Sequence, residues 1–559
     1  MNNNEEKLTL DEKVQLILDE MEMVYKNDKR PWVIGYSGGK DSTAVVQLAF
    51  MMLQRLPKDQ INKDVYVVSS DTLIENPIML GFLKMNSDSI TKMGGEEHLN
   101  LRIKAQMVHP DYDNSFWANI IGKGLPTPTS IRFRWCTEKL KIKPSNKFIE
   151  EKVDENGEVI VLLGVRKAES IARRIRIENR QIDGYLLTPH ATINNTYVYN
   201  PIVDLSTDEV WSILLRNNGV SPWGGNNNEL FSLYMGSDGG ECPFTVTSNK
   251  GEIDTPSCGN SRFGCWICTV VQKDKSLTGF IESGETWLQP LLNFKEWLLN
   301  IRNRHEYRAQ YRRDGNHYYR KVYLDNIPVD ERKNIIQESI YTDNDNKKFI
   351  NFKYKDPNFP ILSDSLYFDE NGRFVDKEKF KLYLELLPLE PGLNKLDTNK
   401  ILKDDKGEYV NVLGYGPFTF QARQIILRRL LELEKEMKEQ EGIEFDLITK
   451  EELKAIDDIW EDEEDLSRNT LTKIYFDVYS EKLPWHDFKK PLLEEVAIDK
   501  INSICERKGI SKDLLVKLLV ETDKQKFYSN KSNLIKAIDK TLNQKHLYKD
   551  IYEAVEYDN

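Results

Sequence analysis

The sequence predicts an α/β protein with a doubly wound, mostly parallel sheet, a cysteine-rich insert and a helical C-terminal region. Three observations carry this. A short apolar run at residues 32–36 leads into Ser37-Gly38-Gly39-Lys40-Asp41-Ser42, and a helical pattern follows over 43–56. A second buried-strand pattern at 65–69 ends at Asp71, and a third at 159–165 ends in another polar cluster. Strand, glycine-rich loop, helix, strand is the start of a doubly wound sheet, whose ligands bind at the carboxyl ends of the strands.

The elements follow in order. Leu8, Leu10, Val14, Leu16, Ile17, Met21 and Val24 recur at helical spacing before Asn27, Asp28 and Pro31 punctuate the chain, which predicts an N-terminal helix within residues 1–30. Residues 31–218 form the predicted nucleotide domain, closing with a helix over 207–215 capped by Ser206 or Thr207. Residues 219–340 hold four of the six cysteines and a basic, aromatic stretch; the part from 219 to 270 is rich in Gly, Asn, Pro and Cys, a composition that orders best around a ligand or metal. Residues 341–374 read as a linker and 375–559 as a Lys/Glu/Leu-rich helical region. Its acidic run at 461–465 reads as a solvated or partner-facing surface.

With 559 residues, 40% of them hydrophobic, the chain has room for two or three domains. The N-terminus lacks a basic start and apolar stretch, and no later apolar run approaches a membrane span, so a cytoplasmic location is expected. Six cysteines are too few for a disulfide framework in a chain of this size. A net charge of -12 opposes nonspecific attraction to DNA or anionic lipid. Nucleic-acid contact then needs a local basic patch or a partner protein.

Ser37-Gly38-Gly39, placed between a strand and a helix, can turn backbone N–H groups inward as an anion nest at the positive end of that helix. Lys40 and the hydroxyls add phosphate donors. The Walker spacing GxxxxGK[ST] is absent. This loop resembles that of the PP-loop ATP pyrophosphatases, of the adenine nucleotide α-hydrolase-like fold, whose pattern is SGGxDS and which split ATP between its α and β phosphates.

Within that group the chain is similar to the phosphoadenosine phosphosulfate (PAPS) reductases: Ser69-Ser70-Asp71-Thr72 with Glu75 matches their strand-end Asp-Thr, and Gly164-Val165-Arg166-Lys167-Ala168-Glu169-Ser170 with Arg173 matches GxRxxES. Arg134-Trp135-Cys136-Thr137 and Leu140-Lys141 match their cysteine and lysine region. Arg166, Arg173 and Lys141 suit phosphate and adenylate oxygens. Asp71 is expected to orient a ribose hydroxyl or, with Glu75, a magnesium ion. Arg174, Arg176 and Arg180 read as surface ion-pairing residues.

Cys258, Cys265 and Cys268 form a second signal, a CxxC turn with a third thiol seven residues before it. A fourth ligand comes from Cys136 or Cys242, and the residues alone leave zinc and an iron–sulfur cluster both open. Resemblance to iron–sulfur sulfonucleotide reductases implies a [4Fe–4S] cluster on Cys136, Cys258, Cys265 and Cys268, with Cys242 as the alternative ligand. Cys505 stands alone on an amphipathic stretch and reads as packing.

RWCTEKLKIKP, LLGVRKAES, NPIVDLSTDEVW and PSCGNSRFGCWICTVV together resemble the DndC sulfurtransferases of bacterial DNA phosphorothioation, over about residues 10 to 340. The resemblance implies ATP-dependent replacement of a nonbridging oxygen of the DNA backbone by sulfur, with Lys40, Asp41, Arg166 and Lys141 catalytic and a cysteine desulfurase as sulfur donor. Arg304, Tyr307, Arg308 and Arg312, in a basic and aromatic stretch, read either as a phosphate-binding and base-stacking surface or as a solvated helix face. Sulfonucleotide reduction, RNA thiolation and an ATP-sensing iron–sulfur scaffold are the competing functions. The chain ends EAVEYDN, without the tail cysteine that the reductases use.

Overall fold

The computed structural model describes residues 8–129, 133–179, 185–237, 264–271, 274–304 and parts of 307–543. They fall into two compact units: Met1–Phe116 with Pro128–Leu292, and Trp117–Thr127 with Asn293–Asn559.

The first unit opens with α1 (Leu10–Lys26), whose N-terminus is closed by a capping box between Thr9 and Glu12. The strands are β1 (Trp32–Gly35), β2 (Val65–Ser70), β3 (Ile103–Val108), β4 (Val159–Leu162), β5 (Thr188–Pro189) and β6 (Thr196–Tyr199). They form one sheet in the order β3-β2-β1-β4-β6-β5, parallel except for the β5–β6 pair. The expected doubly wound sheet is therefore present. Its strand order runs outward from β1 in both directions, so the switch point lies between β1 and β4.

Period-two alternation sorts the strand residues onto two faces. Trp32, Ile34, Val65, Val67, Ile160 and Leu162 join the core with α1 and with α2 (Lys40–Arg55), α3 (Pro77–Gly94) and α6 (Thr207–Leu214). Val33, Tyr66, Val68, Val159 and Val161 face the other way, against Phe148 and Ile149 of α4 (Lys143–Asn156). Alongside these run α5 (Ile171–Glu178), α7 (Asn227–Ser237) and α8 (Lys275–Glu282). The helix α7 falls in the stretch from 219 to 270 whose composition favours order around a ligand or metal.

The second unit is built around an inserted segment. Ala118–Gly122 forms a π-helical turn. Trp117 Nε1 donates to the Leu447 carbonyl at 2.9 Å, and Trp460 Nε1 donates to the Ile121 carbonyl at 2.7 Å. Helices Phe420–Gln440, Lys450–Glu463 and Thr470–Tyr479 supply much of its apolar core. Among the described residues the helical character expected from residue 375 is found from Phe420 onward, and Leu402–Asp404, Gly407–Leu413 and Tyr319–Tyr323 pair as an antiparallel sheet. The acidic run at 461–465 also departs from a purely solvated surface. Glu461 pairs with Arg468, Glu464 with Arg423, and buried Asp465 accepts from the Ser467 and Thr470 backbone. Cys505 is buried, in keeping with a packing role.

Candidate active site

The loop between β1 and α2 is shaped by its glycines. Gly38 has φ +72°, a conformation that strains any residue with a Cβ, and a Cβ there would lie 3.1 Å from Leu83. Gly39 is the N-cap of α2 and offers no side-chain cap, leaving the first helical N–H groups for another acceptor. Ser42 closes the loop on itself: its hydroxyl donates to the Gly39 carbonyl at 2.9 Å and accepts from the Ser37 N–H at 3.2 Å. Thr43 donates to the same carbonyl at 2.9 Å. The result is a hydroxyl-braced nest at a helix N-terminus, suited to the oxygens of a polyphosphate.

Across the switch point, the segment after β4 meets this loop directly. A Cβ on Gly164 would come within 2.8 Å of the Asp41 carbonyl carbon and oxygen. Only a glycine lets the two backbones approach so closely. Arg166, with 2% of its surface exposed, extends its Nε to Asp41 Oδ1 at 2.7 Å. Its remaining nitrogens donate to the Leu205 carbonyl at 3.2 Å and the Thr207 hydroxyl at 3.3 Å. The guanidinium expected on phosphate oxygens is instead buried and occupied, so Arg166 acts on the loop through Asp41. The other oxygen of Asp41 faces the Lys40 ammonium at 3.4 Å.

Lys40 is itself mostly buried, and its ammonium lies 5.3 Å from the ring centre of Tyr234 on α7. The Tyr234 hydroxyl accepts from the Lys40 backbone N–H at 3.3 Å. Tyr234 escaped the motif reading because it belongs to no string. The helical spacing of Leu230, Phe231 and Tyr234 was the available signal.

The β2 end contributes Asp71, beside the loop because Tyr36 donates its N–H to the Val68 carbonyl at 2.8 Å. Asp71 Oδ1 accepts from the Leu73 N–H at 2.8 Å, a turn that accompanies the left-handed φ of 63° at Leu73. Burial raises its carboxyl above the ordinary value despite that hydrogen bond. Glu75 turns the other way. Its Oε1 accepts from Thr72 at 3.0 Å and pairs with Lys141 at 2.8 Å. Lys141, expected on phosphate and adenylate oxygens, is placed on the cysteine side of the site and paired with Glu75.

Among the described cysteines, Cys265 packs on this same segment. Cys265 forms a β-bridge with Glu75, the Trp266 N–H donates to the Ile74 carbonyl at 3.1 Å, and Cys265 Sγ lies 3.6 Å from the Thr72 hydroxyl. Burial pushes the Cys265 thiol up to about 12, Glu75 adds to the rise and Lys141 opposes it. Burial raises Cys136 as well, with a further push from the charge of Cys268. Burial alone would lower the Lys141 ammonium; Cys265, Glu75 and Cys136 outweigh that and hold it above its usual value.

Cys136, Cys265 and Cys268 thus lie close enough to affect one another's charge, and a bound cation would draw the protons off such thiols. Among the described residues no group of three or more His, Cys, Asp or Glu closes into a metal-sized cluster. Cys258 and Cys242 lie outside the described residues, as does the Arg173 side chain. Glu169 sits on a short 3₁₀ turn, Lys167–Glu169, beside Arg166.

Residues 31–270 match the phosphoadenosine phosphosulfate reductase domain family. That stretch resembles a PAPS reductase domain. The matched stretch spans the loop, Asp71, Arg166 and the CxxC turn alike. The chain is also 29% identical over 280 residues to an uncharacterized protein of Methanocaldococcus jannaschii, a match covering 49% of this chain and 44% of the relative. It thus spans less than half of that curated relative's length. Among solved structures it is similar to a PAPS reductase from Candida auris in a phosphate complex, at 12% identity and TM-score 0.25, covering 40% of this chain and 92% of the other. A U34-tRNA thiolase, NcsA, from Methanococcus maripaludis with its [4Fe–4S] cluster matches at 13% identity and TM-score 0.25, covering 51% and 80%.

The expected nucleic-acid residues separate. Arg308 is 3% exposed; its guanidinium donates to the carbonyls of Gly416 and Arg302 and packs 4.8 Å over the Phe418 ring. A guanidinium so enclosed braces the second unit and is withdrawn from phosphate. Arg304 and Arg312 are exposed, and Tyr307 is half-buried. No described helix is long and apolar enough to cross a membrane.

Proposed function

We propose that this chain is an ATP-dependent sulfurtransferase that activates a phosphate oxygen of DNA by adenylation and replaces it with sulfur. The observation that carries the reading is the double use of residues 71–75. Asp71 stands at the strand end beside the phosphate loop, while Thr72, Ile74 and Glu75 hold Cys265. Nucleotide activation and thiol chemistry would share one segment of chain.

In this scheme the nest at Gly38 and Gly39, with Lys40, holds the β and γ phosphates, and Asp71 takes the ribose or a magnesium ion. A nonbridging DNA oxygen attacks the α-phosphorus, the α–β bond breaks, and pyrophosphate leaves. The terminal sulfur of a persulfide, loaded by a cysteine desulfurase, then attacks the DNA phosphorus, and AMP departs with the oxygen. A second thiol cleaves the sulfur–sulfur bond, becoming a disulfide and leaving sulfur on the DNA. Positioning and charge neutralisation supply most of the rate.

Cys258, Cys265 and Cys268, with Cys136 or Cys242, would hold a [4Fe–4S] cluster through thiolates. Such a cluster supplies redox chemistry and a cationic centre that keeps its thiols deprotonated. What supports DNA as acceptor is the resemblance of the strings around Cys136, Arg166 and Cys265 to the DndC sulfurtransferases. The PAPS reductase-like domain also accommodates a second reading, reduction of a sulfonucleotide.

The test is to incubate anaerobically purified protein with ATP, desulfurase, cysteine and either DNA or tRNA. The reading requires pyrophosphate release and sulfur in DNA. Sulfur in tRNA alone would replace DNA by RNA. Sulfite formed from PAPS with a thiol reductant would replace transfer by reduction.

A further inference from the structure

Tyr234 touches the phosphate loop twice, through its hydroxyl on the Lys40 N–H at 3.3 Å and through its ring at 5.3 Å from the Lys40 ammonium. Its ring is held edge-on by Trp211, with centroids 5.1 Å apart and planes at 87°. The hydroxyl oxygen lies 3.2 Å from where a Cβ on Gly39 would stand, so this oxygen sits against the loop itself.

The Lys40 N–H is the first helical amide of α2, and the N-cap Gly39 provides no side chain for such orphan donors. In an anion nest that amide would face a phosphate oxygen. Here it faces a phenol oxygen, a neutral and weaker acceptor than an ionised phosphate.

We propose that the Tyr234 hydroxyl competes with a phosphate oxygen for the Lys40 N–H and is displaced when ATP or pyrophosphate binds. Tyr234 is then a positioning residue: its ring keeps Lys40 aimed while its hydroxyl reports whether the nest is filled. The report has a destination. The helix α7 ends at Ser237, and the chain then runs on to Cys242 and Cys258. Loss of the hydroxyl's anchor loosens α7 when nucleotide is in place.

The inference rests on the nucleotide reading above, and the experiment separates the two. Binding of ATP and of pyrophosphate is measured by calorimetry for the unaltered chain, Tyr234→Phe and Tyr234→Leu. Tyr234→Phe removes the competing oxygen and keeps the ring, so both ligands should bind about three- to tenfold more tightly, the net worth of one hydrogen bond. Tyr234→Leu should bind more weakly than Tyr234→Phe, because Lys40 loses the aromatic face. In the unaltered chain, ATP should speed amide hydrogen exchange in α7.

A folded Tyr234→Phe variant with equal or weaker affinity would overturn the proposal, as would α7 exchange that ATP leaves unchanged. The exchange measurement uses the unaltered chain and stands even if both variants fail to fold. If the unaltered chain binds neither ATP nor pyrophosphate, the nucleotide reading fails and takes this one with it.

Discussion

Asp41 Oδ1 receives a 2.7 Å hydrogen bond from Nε of Arg166, a residue 125 positions further along the chain. The loop string and the GxRxxES string are therefore two halves of one device. With Arg166 2% exposed, removing the carboxylate strands a buried cation. Asp41→Asn should lower stability by about 3 kcal/mol in chemical denaturation. A double-mutant cycle with Arg166→Met should give a coupling above about 1 kcal/mol. An unchanged denaturation midpoint for Asp41→Asn would contradict this.

Gly164→Ala places a methyl 2.8 Å from the backbone of Asp41, where no flexible side chain can move aside. The variant should lose about 2 kcal/mol or more of stability through overpacking and should bind ATP at least tenfold more weakly as the loop shifts. Gly81→Ala is the control, since nothing lies within 4 Å of its Cβ position. Lying inside α3, it should be neutral or gain up to about 1 kcal/mol. Thermal melting and nucleotide titration of both variants check the contrast.

The Lys63 ammonium is buried 4.7 Å from the Tyr25 ring centre and pairs with Asp28 at 3.1 Å. Burial alone would raise the Asp28 carboxyl, but hydrogen bonds from Arg30 and the charge of Lys63 outweigh it and hold it below its ordinary value. A carboxyl depressed in the folded state stabilises above its unfolded pKa, and that contribution fades as pH falls through the folded one. Asp28→Asn should therefore cost about 2 kcal/mol at pH 7 by stranding Lys63. Its stability should also fall less steeply than that of the unaltered chain below about pH 4. Parallel acid limbs for the two proteins would rule out this linkage.

Trp460 is fully buried and bonds to the Ile121 carbonyl. Trp460→Ala should cost about 3–5 kcal/mol. Cutting the chain after residue 292 should leave Trp117, Ile120 and Ile121, all fully buried, without the helices that cover them. That fragment should be insoluble or should bind a hydrophobic dye. A soluble, cooperatively melting fragment would show that the inserted segment needs no cover.

Cys136→Ser should remove iron from anaerobically purified protein if Cys136 is the fourth ligand, while Cys242→Ser should leave it. Iron and acid-labile sulfide analysis decides, and the opposite pattern would transfer the assignment to Cys242.

How much of this was legible in the chain differs element by element. The strands at Trp32 and Val65 read clearly because an apolar run buried on both faces has few alternatives. The helical C-terminal region read from Lys/Glu/Leu composition is present, while the alternation in Gly407–Leu413 marks a strand that composition alone hides. Arg308 looked like a phosphate ligand because its neighbours are basic and aromatic. Its burial depends on Gly416 and Phe418, more than a hundred residues away.

The shape of the Ser37–Ser42 loop was determined by the sequence itself, since a positive φ at Gly38, a helix start at Lys40 and hydroxyls at Ser37 and Ser42 are all local properties. So was the order of strand and helix that puts ligands at strand ends. The tertiary structure alone decided that Arg166 serves Asp41, that Lys141 serves Glu75 and Cys265, and that Tyr234 covers the Lys40 amide. Each of those pairings spans tens to hundreds of residues. A charged or hydroxyl side chain has many possible partners in sequence, and only packing chooses among them.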